Sequence, residues 1–329
     1  MKRITSAAHD GLKPSQLVFA GAFLTCLCVA MPHGASPLGQ SEGANAAKSE
    51  PFQTFPVGTA PIAIALAHAD IWVANLIDNT VTRLRYNDGS KLGTIAVGTR
   101  PMALCSNGSS IWVANSESKN VTKLRTSDGA VLGAFAVGTG PSGILCDGAS
   151  IWVANGGSNN LTKLRANDGA VLGTFDVGEN PHGLISDGTN IWVTNMVSDG
   201  TVTKLARDGK TLGKFDVGEF PMGMAFDGTN IWVVNNGSEN VTELRAADGK
   251  NMGTFPTGGV HSFAAAFDGT NIWVINNGSN TVRRLRGSDG STLETFVVGK
   301  APGAVAFDGT SMWITLAGTN SIVKVPTRR

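Results

Sequence analysis

Chemistry in this chain would have to come from very few side chains. Beyond residue 46 there are three histidines, and two of them end related glycine-led stretches, Gly178-Glu179-Asn180-Pro181-His182 and Gly259-Val260-His261. In the sister stretches the residue after the proline is Ile62, Met102, Ser142, Met222 or Gly303. Two imidazoles around one opening could move protons. Joined by the thioethers of Met102 and Met222, they could instead hold a soft or borderline metal such as copper or zinc. Met102, Ser142, His182, Met222 and His261 are therefore the candidate ligand-binding residues, with His182 and His261 as the candidate catalytic pair. The competing reading is that all five fill the rim of an opening and do nothing more. His68 falls in a turn and reads as exposed.

One motif match is misleading. Gly138-Thr139-Gly140-Pro141-Ser142-Gly143 satisfies G-x-G-x-x-G. A dinucleotide site needs that loop before a helix whose N-terminus faces the pyrophosphate. Here, and in the copies Gly178 to Gly183 and Gly218 to Gly223, a strand pattern follows instead. No organic cofactor is expected, and a divalent metal is the one inorganic candidate.

The elements that must position these residues are repeats. The pattern Ile-Trp-Val-x-Asn recurs around Trp72, Trp112, Trp152, Trp192, Trp232 and Trp273 and, as Met-Trp-Ile-Thr-Leu, around Trp313; these are all seven tryptophans of the chain, spaced by 40 residues with a single step of 41. A fixed period in this range marks an array of one supersecondary unit. In the third repeat the apolar runs are Pro141 to Asp147, Ile151 to Asn155, Asn160 to Arg165 and Val171 to Val177. They are separated by Asp147-Gly148, Gly156-Gly157-Ser158-Asn159 and Asn167-Asp168-Gly169. Asp-Gly between apolar runs favours tight hairpins, because glycine takes positive φ without strain. No helical period intervenes, so a βαβ reading is excluded. The expected fold is all-β, a seven-bladed β-propeller of four-stranded antiparallel blades. The second strand, Ile151 to Asn155, is apolar on both faces, which suits a blade sandwiched between neighbours and makes the tryptophans core.

The last repeat ends at Arg329 without a fourth strand, while residues 52–57 copy that strand's pattern. The N-terminal strand is therefore expected to complete the last blade and leave no open end.

Residues 1–46 are of another kind. Lys2 and Arg3 precede an apolar run from Leu17 to Met31, and Ala44-Asn45-Ala46 supplies a small-residue cleavage pattern. The segment reads as an export signal, or as an uncleaved N-terminal anchor, followed by a spacer, with residues 47–329 forming the propeller. The expected location is periplasmic, secreted or at the cell surface, with contact to a membrane only through that segment. Without residues 1–46 the formal net charge falls from +1 to zero, so no overall field attracts nucleic acid. Cys105 and Cys146 lie at different phases of neighbouring first strands. Their side chains should point to opposite faces, and they read as two small core residues rather than a bridge. The basic rhythm of the third strands (Arg83/Arg85, Lys123/Arg125, Lys163/Arg165, Arg284/Arg286) reads as a solvated flank with local ion pairs.

The unit with IWVxN, VTKLR and TFxVG resembles the YVTN/NHL-type, YncE-like bacterial propellers over residues 51–329. That resemblance implies a seven-bladed ring and, since such folds host unrelated activities, little about function. A more distant resemblance is to virginiamycin B lyases, propellers with a metal-assisted His/Glu site. It implies a lyase or hydrolase in which His182 and His261 would carry the role, although no His-x-Glu pairing occurs here. The leading expectation is an exported, monomeric, non-enzymatic binding platform that takes a small molecule, glycan or protein at the mouth of the central channel. The metal-dependent enzyme is the first alternative. A surface module that binds glycan or protein through the Asn/Gly/Ser-rich loops is the second.

Overall fold

In the computed structural model, which describes residues 52–327, seven four-stranded antiparallel sheets follow one another along the chain. Strands of a blade are lettered a to d from the inside outward. Blade 3 is representative, with strand a at Pro141–Asp147, b at Ser150–Asn155, c at Asn160–Arg165 and d at Val171–Asp176. The a strands of successive blades pack on one another around the whole ring, including that of blade 7 on that of blade 1. Residues 1–46, read from the sequence as an export signal or anchor, lie outside the described residues.

Blade 7 is composite, as the missing fourth strand required. Gln53–Pro56 pairs antiparallel with Ser321–Pro326, with Gln53 opposite Lys324 and Pro56 opposite Ser321. Phe55 is buried there, and its ring packs on Trp313 at 5.4 Å between centroids. The d strands of blades 2 to 6 supply the same partner, as Phe135 does to Trp112. The seam to blade 1 is sealed by Tyr86, whose hydroxyl donates to the Asp308 carbonyl at 3.1 Å.

All seven tryptophans are fully buried. In each blade the Trp face of strand b meets the Ile/Val face of the next, so Trp112 and Ala114 cluster with Ile151 and Val153. Burying about 150–250 Å² per indole makes these interblade layers the dominant apolar term. The asparagine ending strand b has a separate task. Asn155 Nδ2 donates to Asn160 Oδ1 at 2.9 Å and Thr162 Oγ1 at 2.8 Å. Its side chain also fills the space beside Gly138, where a Cβ would collide with it. The connector glycine and the repeat asparagine are thus one packing unit.

Two expectations are corrected. Cys105 and Cys146 form a disulfide, with Cα atoms 5.6 Å apart. Their side chains do point to opposite faces of their own blades, Cys105 lying opposite Trp112 and Cys146 opposite Ile151. In a propeller, however, the Trp face of one blade looks onto the Ile/Val face of the next, so opposite phases bring the two sulfurs together.

The basic rhythm is the second. Its first member is not solvated: Lys123 Nζ lies 5.0 Å over the Trp112 ring and donates to Ala166 O at 2.9 Å and Asn167 O at 2.7 Å in the next blade. Lys204 does the same from blade 4 to Ala246 O at 2.7 Å. The second member forms the exposed local ion pairs, such as Arg165–Asp168 at 3.0 Å, while two first members, Arg83 and Arg284, pair in more sheltered positions with Asp70 and, at 3.4 Å, with Glu294.

Blade 5 breaks this interblade staple. Glu243 stands opposite Trp232 where its sisters are cations, and its side chain accepts a hydrogen bond from Asn230 Nδ2 at 2.7 Å. Burial, and next the nearby Asp227 carboxylate, push its pKa up. Replacing Glu243→Lys removes that repulsion and restores a cation over the indole, worth about 1–2 kcal/mol. The melting temperature should rise by about 3 °C. An unchanged or lower value in calorimetry would mean that the staple adds nothing to the seam.

Candidate functional site

The candidate residues sit where strand a begins. In each blade the ladder between strands a and b is interrupted just after the first residue: Pro141 pairs with Asn155, and the register resumes at Gly143 opposite Ala154. The corresponding shifts follow Pro181 and Pro221. Ser142, His182 and Met222 therefore lie in bulges, which free a side chain from the alternation of the strand and re-aim it. Two residues into the strand, alanine or glycine lets neighbouring inner strands approach. A Cβ on Gly143 would collide with the His182 carbonyl oxygen, and one on Gly183 with that of Met222. Blades 3, 4 and 5 are thereby held backbone to backbone at this level.

The ring formed by the bulge residues reads Ile62, Met102, Ser142, His182, Met222, Phe263 and Gly303. Ser142 spends its hydroxyl on the scaffold, donating to Pro181 O at 2.8 Å in the next blade. Met222 is only 4% exposed, and its carbonyl accepts from Thr194 Oγ1 at 2.9 Å. Met102 and His182 are half-buried. Burial pushes the His182 imidazole down to a pKa of about 4, so it is neutral at pH 7, able to accept a hydrogen bond but a poor proton acceptor.

His261 belongs elsewhere. Ser262 pairs with Asn276 as Pro181 pairs with Asn195, so Phe263, not His261, is the counterpart of His182. His261 is an exposed connector residue with φ 54°, the counterpart of Asn180 with φ 48°. The extra residue of the sixth repeat is Gly258: it is Gly259 that packs on Asn276, as Gly218 packs on Asn235. The two histidines are two blades apart and at different repeat positions, and the structure does not bring them together. Phe263 lacks the preceding proline, but the sequence holds a signal for it: like His182 before Trp192, it stands ten residues before the tryptophan of its repeat, Trp273. Among the described residues, no group of three or more His, Cys, Asp and Glu side chains is placed to hold a metal ion. His68 lies in the a–b turn of blade 1 with φ 53° and is exposed, as its position suggested.

The connectors and b–c loops frame this ring. Phe220 is 42% and Val260 40% exposed in the connectors of blades 5 and 6. The Phe220 N–H donates to Val197 O at 2.8 Å, tying the blade 5 connector to the blade 4 loop.

No protein-family model and no curated protein sequence matches the chain. Solved structures do match in fold. Virginiamycin B lyase from Staphylococcus aureus superposes with a TM-score of 0.74 at 17% identity, covering 84% of this chain and 98% of that one. A streptogramin B lyase gives 0.72 at 20% identity, with 83% and 96% covered. Kuenenia stuttgartiensis hydrazine synthase gives 0.73 at 18% identity, with 88% and 99% covered. At these identities the likeness is one of fold, and this chain is a seven-bladed propeller with virginiamycin B lyase-like structural neighbours.

Proposed function

We propose that the protein is an exported, non-enzymatic binding propeller that takes a small ligand at the channel mouth. One observation carries this reading. The repeat holds its Trp, Asn and connector Gly nearly constant, yet varies the bulge residue from Ile62 and Met102 to His182 and Phe263. A merely structural rim would have no need of such differences. The interblade disulfide supports an oxidising location, where such bridges persist. The resemblance to YVTN/NHL-type propellers agrees with a rigid platform.

The metal-dependent lyase reading draws on the fold of the neighbours. The residues here do not fit it, since among the described residues His182 has neither His261 nor a carboxylate set beside it. The loop-borne glycan or protein module remains the third reading.

A thermal-shift screen of small organic compounds tests the proposal. It compares the parent with Met102→Trp and His182→Trp, which crowd the opening, and with Leu172→Ala on an outer strand. Compounds that stabilise the parent should lose their effect with both mouth variants and keep it with Leu172→Ala. Binding indifferent to the mouth, or no stabilising compound at all, would count against it.

A further inference from the structure

We propose that the ligand is an organic cation with an apolar body, its charge held over Phe220 among the carboxylates of blades 4 and 5. This rests on the reading that the channel mouth is the binding site. The connectors and b–c loops of these two blades are residues 178–180, 196–200, 218–220 and 236–239. They carry Glu179, Asp199, Glu219 and Glu239 and contain no lysine or arginine. All four acids are exposed.

Charge elsewhere on this face is of mixed sign, with the exposed Lys119 in blade 2 and Lys300 in blade 7. Arg100 pairs with Glu117 at 3.3 Å in blade 2, and the Asp78 carboxylate of blade 1 accepts from the Thr59 N–H at 2.7 Å. Among the described residues none of the four acids of blades 4 and 5 has an ion-pair partner. Negative charge without a cation partner is thus concentrated in one sector, four carboxylates against the single Asp78 of blade 1.

The same sector carries the exposed ring. A Cβ on Gly237 would meet the Phe220 ring at 2.7 Å and the Glu219 Oε2 at 3.2 Å, so ring and carboxylate lie side by side over one glycine. An aromatic face beside an anion is the usual way to hold an organic ammonium. Behind Phe220 the chain runs through Pro221 into the buried Met222, and the half-buried His182 and Phe263 on the flanking inner strands are what an apolar body entering the mouth would meet. The neutral His182 brings no competing positive charge. Ile77, 61% exposed in blade 1, stands apart from this arrangement. Phe220 also occupies a left-handed position, φ 49°, that blade 4 fills with Asn180. A bulky aromatic is a poor choice there on backbone grounds.

The test uses three phenyl compounds that differ in charge, 2-phenylethylammonium, 2-phenylethanol and phenylacetate, titrated calorimetrically into the full chain. The cation should bind about tenfold more tightly than the alcohol, and phenylacetate most weakly. The preference should shrink in 0.5 M NaCl, as exposed charges are screened, and in the Glu179→Gln/Glu219→Gln variant. Phe220→Asn should weaken the cation without lowering the melting temperature, which separates loss of the ring from loss of fold. Equal binding of all three compounds that Met102→Trp still abolishes would overturn the charge preference and leave the mouth as the site. Binding that ignores Met102→Trp, or none by any compound, would overturn both.

Discussion

Deleting residues 52–58 lowers the melting temperature by about 10 °C and promotes association. The deletion strips Ser321–Pro326 of its partner, leaving a row of unpaired backbone groups at a sheet edge, which is a template for other chains. It also removes Phe55 from Trp313. Loss of a buried phenylalanine alone costs about 3–5 kcal/mol, and in a domain of this size each kcal/mol shifts melting by about 2–4 °C. Phe55→Ala, which keeps the strand, should show a large part of the shift without the association. A truncated protein that melts like its parent and stays dispersed would show that the ring does not depend on this strand.

Reduction of the Cys105–Cys146 bridge has a comparable effect. The cysteines are 41 residues apart, and a cross-link closing such a loop restricts the unfolded chain by about 4 kcal/mol in the chain-entropy account. Urea unfolding with and without a thiol reductant should therefore give midpoints that differ clearly. The Cys105→Ser/Cys146→Ser variant should match the reduced parent and ignore reductant. If parent and variant unfold alike under both conditions, the bridge contributes nothing. Two free thiols in the purified, unreduced protein would refute the pairing itself.

The fold was plain in the sequence because its signal repeats. Seven tryptophans at a 40-residue spacing, with Asp-Gly turns between apolar runs, admit one architecture, and the stray copy of a d strand at residues 52–57 shows how it closes. What escaped was whatever depends on two blades at once. The faces of Cys105 and Cys146 were read correctly within each blade. Their meeting required knowing that unlike faces of neighbouring blades confront each other. Lys123 looked solvated because a strand's own pattern does not reveal the next blade's carbonyls. His261 was read as the repeat equivalent of His182, but it stands twelve residues before Trp273 where His182 stands ten before Trp192, and the ten-residue position belongs to Phe263. Phe220 carried no signal of its own, since the residue before the proline varies freely among Ala60, Arg100, Asn180 and Ala301. Only its exposure beside Glu219 sets it apart.

The composite seventh blade has a mechanical consequence. Every seam between blades is crossed by continuous chain, so the one break in covalent connectivity lies inside a sheet, between Pro326 and Gln53. These ends emerge side by side, because Gln53 faces Lys324 in an antiparallel pair. A load applied across the two termini pulls on that pair from its open end and peels it bond by bond, without shearing the ladder as a whole. The ring thus yields first at its clasp under tension while its wedge-like seams stay seated. The same adjacency would let a short tether join the ends into a circle and new ends be opened at any outer turn.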